Sequence, residues 1–164
     1  MHRALWRRHR TPLAAHLHSL AMASSTDSIQ ATLFARPLPP LEPGKTVYDR
    51  DLVKQISALK EHRFVIAALH LANDDIHHAH LIAQDSEGDP TADLLHATLH
   101  RREGDYWNSK YWYSRLSPHP LVPSIPSAKA FVDACERDPK SESLRQRQWD
   151  ELKALVEWTR AHCK

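Results

Sequence analysis

Glycine is scarce in this 164-residue sequence, which contains only three. Barrels, β-sandwiches and phosphate-cradling loops each need several glycines at tight turns or close backbone approaches. No segment alternates apolar and polar residues with a period of two over a useful length, so β-strands are not expected. These absences together predict an all-α protein.

Cysteine is also scarce, and the two residues present, Cys135 and Cys163, lie far apart without CxxC spacing. They cannot form a disulfide framework, so a reducing, intracellular compartment is the simpler interpretation. The sequence has no nucleotide-binding glycine loop, nucleophile elbow or redox CxxC, which argues against kinases, α/β-hydrolases and thioredoxin-type proteins. No run of 18 apolar residues is present, so no membrane span is expected.

The sequence has no large excess of charge of one sign. Its 22 basic and 20 acidic side chains give a net charge of +2. Beyond the N-terminal segment, acidic residues interrupt every basic stretch. We therefore expect neither nucleic acid nor a membrane as a partner, and a small-molecule substrate is the partner that the sequence favours.

The first 25 residues contain four arginines, and no acidic residue precedes Asp27. This composition matches a mitochondrial presequence. The composition is equally compatible with a disordered tail, or with an N-terminal extension before a true start at Met22. Cytoplasmic and mitochondrial locations therefore both stay open. Residues 26–46, with four prolines, are predicted to be a Pro-rich strap or linker, and residues 47–164 a single helical domain.

The rest of the chain has helical periodicity, interrupted by a second proline-rich stretch over residues 118–126. Apolar residues at i, i+1, i+4 and i+7 from Leu52 mark one face of a helix. Capping residues divide the remainder into separate helices. The first predicted helix begins at Asp49. Further helices are predicted over residues 64–72, 76–84, 91–102, 105–116 and 127–135. A last helix is predicted to begin at Ser141 or Ser143 and to run towards the C-terminus.

Two segments repeat with an offset of 30 residues. The segments 69–79 and 99–109 each contain the end of a helix, a turn with a capping aspartate (Asp75 or Asp105) and a small residue four positions later. This pattern is typical of tetratricopeptide-type (TPR-type) hairpins, whose period is near 34 residues. Two copies are too few for a solenoid. We therefore predict a compact helical bundle built on two TPR-like helical hairpins, with Pro-rich extended straps.

The same region resembles a group of small, uncharacterised helical proteins from bacteria and fungi. Residues 79–84 read AHLIAQ and residues 96–113 read HATLHRREGDYWNSKYWY, which is similar to the group's AHxxxQ…HxxxHRxEGDxxNAxYWY signature. The likeness covers residues 69–113. Ser109 and His77 depart from the group, which has Ala and Asp there. The group brings no established activity, so the resemblance implies which positions matter but assigns them no role.

Histidine is abundant, with 13 residues in the chain, and it is both the commonest metal ligand and the side chain that titrates near neutrality. On the predicted 91–102 helix, successive residues advance by about 100°. His96, His100 and Glu103 therefore share one face, beside the apolar stripe, where we expect them to be half-buried.

On the predicted 76–84 helix, His80 and Gln84 lie beside the apolar stripe, at the same angular offset from it as the histidines of the 91–102 helix. The short connection between residues 85 and 90 makes the two helices antiparallel neighbours, and it places His80 and His96 at matching heights. We expect three imidazoles, one carboxylate and one amide to converge on one pocket. His77 and His78 point away from the stripe and are predicted to be solvated.

Three interpretations of this constellation stay open. In the first, His96, His100 and either His80 or Glu103 bind a divalent metal such as zinc or iron, because HxxxH on a helix has ligand spacing. In the second, a histidine is a general acid or base, oriented by Glu103 or Asp105, in a metal-free site. In the third, the polar groups cap helices and satisfy one another within the bundle.

Five aromatic residues fall within residues 106–113. They form either a stacking wall for a planar substrate or, as we favour, a core anchor with tyrosines at its rim. The candidate substrate-binding residues of this region and its surroundings are Gln84, Arg101, Asp105, Asn108, Tyr111 and Tyr113.

Our leading hypothesis is a small helical enzyme that acts on a small organic molecule. Its catalytic residues would be His80, His96, His100 and Glu103, and its chemistry proton transfer or hydrolysis, with or without a divalent metal. The alternative is a non-catalytic TPR-like module that binds a protein or peptide. An exposed groove lined by Tyr106, Lys110 and Tyr113 would favour the alternative, whereas a pocket of converging imidazoles would favour the enzyme.

Overall fold

A computed structural model describes residues 25–164, and the predicted all-α class is confirmed. No β-strand forms among these residues. The eight helices are α1 (Thr26–Phe34), α2 (Arg50–Ser57), α3 (Arg63–Ala72), α4 (Ile76–Gln84), α5 (Pro90–Glu103), α6 (Tyr106–Arg115), α7 (Ile125–Arg137) and α8 (Glu142–His162).

Helix α5 is the centre of the bundle. It lies between α4 and α6 and also contacts α3, and every residue from Thr91 to Arg102 is buried. The prediction of a half-buried histidine face is therefore wrong, because His96 and His100 are only 3% and 5% exposed. A helix with neighbours on all sides lacks the solvated face that a periodicity argument assumes.

Helix α1 forms where the sequence predicted a strap over residues 26–46. The Ser25 side chain caps it by accepting a backbone N–H from the first turn, and Ile29 and Leu33 are buried in the core. The prolines of this region begin only at Pro37, so nothing within α1 opposes a helix. The high proline content of residues 26–46, taken as a whole, led to the prediction of an extended strap in place of α1.

Residues 35–49 contain no helix and are held against the bundle by several hydrogen bonds. Arg145 of α8 donates a hydrogen bond to the Leu38 carbonyl (2.6 Å), and Gln148 donates one to the Leu41 carbonyl (3.0 Å). At the other end, the Tyr48 N–H donates to the Asn73 carbonyl at the end of α3 (2.9 Å). These bonds hold the segment between α8 and the α3–α4 turn.

Most helix ends follow the predicted caps. Asp49, Asp75, Asp105 and Ser141 accept backbone N–H bonds at the starts of α2, α4, α6 and α8, and Gly104 ends α5 with a φ of 78°. Helix α7 differs, because it begins two residues before the predicted start and includes Pro126. Proline is tolerated in a first turn, where its missing N–H would have no helical partner.

The interpretations of residues 1–24 fall outside the described part of the chain. Across residues 25–164, no helix combines the length and the apolar character that crossing a membrane requires.

The α3–α4 and α5–α6 turns have the same geometry at the predicted 30-residue offset. The Asp75 N–H donates to the His70 carbonyl and the Asp105 N–H to the His100 carbonyl, both at 2.9 Å. The residue before each aspartate has a positive φ, 59° at Asp74 and 78° at Gly104. Glycine adopts this conformation readily, whereas a residue with a β-carbon does so at a cost.

The contacts of the Asp74 side chain explain why this residue adopts a backbone conformation with positive φ. Its carboxylate pairs with Arg36 (2.5 Å) and with Arg102, and all three side chains are buried. Arg36 also donates a hydrogen bond to the Ala72 carbonyl (2.8 Å). The pairing joins the segment after α1, the α3–α4 turn and the end of α5.

We expect Asp74→Asn to lower the free energy of unfolding by about 3 kcal/mol or more, because two buried arginines lose their counter-charge. Urea denaturation followed by circular dichroism measures the change. As a control, Asp85→Asn breaks an exposed 2.5 Å pair with Arg63 and should cost less than about 1 kcal/mol. Asp74→Gly should also destabilise, although it removes the backbone strain. Equal losses for Asp74→Asn and Asp85→Asn would contradict the importance of the buried pairing.

Candidate functional site

Three imidazoles meet between α4 and α5, as the sequence predicts. The ring centroid of His80 lies 4.8 Å from that of His96 and 5.2 Å from that of His100, and His96 and His100 stack at 5.0 Å. One nitrogen of each ring lies within 4.8 Å of the corresponding nitrogens of the other two. The connection between the two helices therefore brings all three rings into one cluster, which we call the three-histidine cluster.

His96 is the most enclosed member of the cluster. Its ring stacks on Trp112 of α6, with centroids 3.9 Å apart and planes at 12°. Its Nδ1 atom is buried and has no hydrogen-bond partner in the described part of the chain. Burial lowers the pKa of His96 to about 3, and the neighbouring His100 and His80 rings contribute in the same direction. The ring is therefore neutral at pH 7.

His80 and His100 differ in their surroundings. His80 is half-buried, and burial, followed by the nearby His100 ring, lowers its pKa. His100 Nδ1 lies 2.9 Å from Glu103 Oε2 and 4.0 Å from Asp105 Oδ2. Facing a carboxylate, Nδ1 carries the proton, which leaves Nε2 as the acceptor; the Asn108 amide lies 3.2 Å from that nitrogen.

A cleft of about 630 Å³ opens beside the cluster. His80 and Glu103 form part of its wall, and the rest comes from the segment before α2 and from the start of α4. Its other lining residues are Gly44, Lys45, Val47, Asp74, Asp75, Ile76 and His77. The sequence did not predict that residues 44–47 help to line this cleft. They are distant in the chain from His80 and Glu103, and no local pattern indicates that they cross this face.

The predicted substrate-binding residues divide into two groups. Asp105 and Asn108 lie next to His100. Arg101 points away from the cleft, towards Gln148 (3.0 Å) and Glu151 (2.8 Å) of α8. One residue along a helix is a rotation of about 100°, so Arg101 cannot share the face of His100.

Three other predicted substrate contacts are also displaced from the cluster. Tyr113 is buried beside Arg101, Gln84 is exposed and does not line the cleft, and Tyr111 is 41% exposed, with its ring edge on Trp112. Trp112, one of the five aromatic residues predicted to form a core anchor, is buried and stacks on His96 of the cluster.

The groove predicted for a peptide-binding module is not formed by its three expected residues. Tyr106 is buried and hydrogen-bonded to Glu42, and Tyr113 is buried. Lys110 is paired with Asp133 at 2.7 Å. The side chains of Tyr106, Lys110 and Tyr113 therefore make contacts within the protein and do not line an open groove.

A second cluster lies at the α3–α4 turn and was not predicted. His70 Nδ1 lies 2.9 Å and His78 Nδ1 2.8 Å from Asp75 Oδ2, and the two rings stack at 4.9 Å. Of the two histidines predicted to be solvated, His77 is exposed, and His78 keeps a side chain that is 44% exposed although its ring contacts Asp75. Burial lowers the pKa of His70 to about 4, although the Asp75 carboxylate opposes this.

The sequence matches no protein-family model, and no curated protein and no solved structure is significantly similar to it. The roles of the clustered residues are therefore argued from their geometry.

We expect the neutral His70 to make stability depend on pH. Its pKa is about 4 in the folded protein and about 6.5 in an unfolded chain, so below pH 6.5 the unfolded state binds the extra proton. Its contribution is present above that pH and should fall by about 2 kcal/mol between pH 7 and pH 5. Asp75 and His78 are the titratable groups that face this ring.

Urea denaturation at a series of pH values, with EDTA present, measures this dependence. His70→Gln should flatten the curve relative to the parent, whereas His77→Gln, at an exposed position, should leave its slope unchanged. Parallel curves for the parent and His70→Gln would contradict the assignment.

Proposed function

We propose that the protein is a small metal-dependent enzyme in which His80, His96 and His100 hold a divalent cation at the wall of the cleft. The observation that carries this proposal is the convergence of three imidazoles with nitrogens within 4.8 Å of one another. Three protein ligands beside an open position are typical of catalytic zinc sites. Imidazole also suits iron, so zinc and ferrous iron are the cations to test.

The protonation of the cluster supports cation binding. A histidine must be neutral to bind a metal, and burial lowers the pKa values of His96 and His80. The carboxylate of Glu103 fixes the proton of His100 on Nδ1, an arrangement that commonly orients metal-bound histidines. His80 and His96 are therefore neutral at pH 7, and each has a nitrogen lone pair to offer. At His100, a cation would replace the Asn108 amide at Nε2.

The alternative of purely internal satisfaction requires a partner for each buried nitrogen. His70 meets this requirement, since Asp75 and Ser57 lie against its two nitrogens. His96 does not, because no residue from 25 to 164 forms a hydrogen bond with its Nδ1. A buried polar atom without a partner costs about 1–3 kcal/mol, which a ligand at the cluster would offset.

The cleft sets the kind of chemistry that we propose. A bound divalent cation supplies a Lewis acid that brings the pKa of a coordinated water towards neutrality. Glu103 positions His100 and also lines the cleft, where its carboxylate can accept a proton from water or substrate. The volume of about 630 Å³ suits a small organic molecule, and hydrolysis or proton transfer is the proposed reaction.

We also propose that the α3–α4 and α5–α6 pairs are TPR-like hairpins. The support is the matching turn geometry at Asp75 and Asp105. A non-catalytic binding module is the second candidate function, and one observation favours it. Trp107 is 74% exposed and stacks on Tyr111, with centroids 5.9 Å apart, which gives α6 an exposed aromatic surface.

We expect the untagged full-length protein to bind one more equivalent of Zn²⁺ than its His96→Ala variant, as measured by isothermal titration calorimetry after removal of bound metal. Histidines in the N-terminal segment are common to both proteins, so their contribution cancels in the difference. Co²⁺ should give the visible absorption of a four-coordinate ion in the parent only.

His162→Ala, at an exposed position in the last turn of α8, is the matched control and should keep the parent's stoichiometry. His80→Ala, at a half-buried position, gives a second test should His96→Ala fail to fold. Identical stoichiometry in the parent and in folded cluster variants would overturn the metal proposal.

We expect Glu103→Gln to weaken Zn²⁺ binding by roughly 10- to 100-fold without loss of the site, because loss of a carboxylate that orients a ligand has this effect. Competition with a chelator of known affinity measures the change. Glu157→Gln, exposed on α8, should bind as the parent does. An unchanged affinity for Glu103→Gln would remove Glu103 from the site.

A further inference from the structure

Ser57, His70 and Asp75 form a hydroxyl–imidazole–carboxylate line outside the three-histidine cluster. The Ser57 Oγ atom lies 3.1 Å from His70 Nε2, and His70 Nδ1 lies 2.9 Å from Asp75 Oδ2. The serine is the last residue of α2, the histidine is in α3 and the aspartate caps α4. Three separate elements thus bring together the groups of a nucleophilic serine site.

We propose that Ser57 is a nucleophile activated by the His70–Asp75 pair and that it reacts with acyl esters. This activity is separate from the proposed metal-dependent one and does not depend on it. The proposed metal ligands and the proposed serine site are different residues, although both border α4 and Asp75 also lines the cleft.

The protonation of His70 is set by its partners. A carboxylate can only accept hydrogen bonds, so the proton of the neutral ring is on Nδ1 and the Nε2 lone pair faces Ser57. Asp75 is fixed by a second ring, since His78 Nδ1 also donates to it, and by its capping bond from the His78 N–H (3.4 Å). The ring is therefore held in the tautomer that a general base requires.

Burial separates the base from solvent while the nucleophile stays accessible. His70 and Asp75 are 1% and 4% exposed, whereas Ser57 is an exposed residue. An ester can approach the Oγ atom from solvent, and water does not compete for the imidazole–carboxylate contact. The accessible position suits an acyl group carried on a small or a flexible molecule.

In the proposed reaction, Ser57 Oγ attacks the ester carbonyl as its proton passes to His70 Nε2. The carbon–oxygen bond to the leaving group then breaks, and His70 returns the proton to the departing alcohol. Water, deprotonated in turn by His70, attacks the acyl-serine carbonyl. The bond to Ser57 Oγ breaks, His70 returns the proton to Oγ, and the carboxylic acid is released. Asp75 stabilises the protonated imidazole at each step.

The Ser57 hydroxyl also lies 2.9 Å from the Val53 carbonyl one helical turn earlier, so two acceptors compete for its proton. Ser114 provides a matched control for this contact. It is exposed in the last turn of α6 and lies 2.8 Å from the Lys110 carbonyl, and no imidazole is bonded to it among the described residues. Any difference in reactivity between the two serines therefore reports the His70–Asp75 pair.

The experiment treats the full-length protein with a fluorophosphonate, which forms an oxygen–phosphorus bond with the nucleophile and releases fluoride and a proton. Peptide mass spectrometry then follows the modification of each serine over time. General-base assistance should make Ser57 react on the order of 100-fold faster than Ser114. Ser57→Ala should remove the fast reaction, and Ser114→Ala should retain it.

Asp75→Asn tests the dependence on the carboxylate, because asparagine preserves the helix cap. It should slow the modification of Ser57 by at least about tenfold. Equal rates for Ser57 and Ser114 in the native protein, or no modification of Ser57, would overturn the proposal. Zn²⁺ binding by the same preparation is measured separately, so either proposal can fail without the other.

Discussion

The buried pairing of Asp74 with Arg36 and Arg102 holds together parts of the chain that are distant in sequence. Each guanidinium group depends on the one carboxylate, because an unpaired charge in the interior is strongly destabilising. The same residue has a φ of 59°, a conformation that its side chain disfavours but that its ion pairs fix in place. The start of α4, and with it the position of His80, therefore depends on this interaction.

Local signals predicted much of the fold. Capping aspartates at residues 49, 75 and 105 and the glycine at 104 located helix ends because they act over a few residues. Helix α1 was missed because the prolines that follow it dominated the composition of the segment. The burial of every residue from Thr91 to Arg102 was not predicted, because neighbouring helices cover the polar face of α5 and no local pattern indicates such packing.

The candidate site was predictable where it depended on one short connection. His80, His96 and His100 meet because the 85–90 connection pairs α4 with α5 at a definite height. Arg101 and Tyr113 are near the cluster in sequence but apart from it in the structure, because they lie on another side of their helices. The contribution of Lys45 to the cleft, and of Ser57 to the second cluster, depends on long-range contacts that spacing alone does not encode.

The central position of α5 has a consequence for motion. Backbone amides in a helix surrounded on all sides exchange with solvent only when large parts of a protein open together. We therefore expect the backbone amides around His96 and His100 to be among the slowest to exchange, because both residues belong to the buried part of α5. His80 lies on a partly solvated helix, so in the proposed metal site we expect its ring to move more readily than the other two.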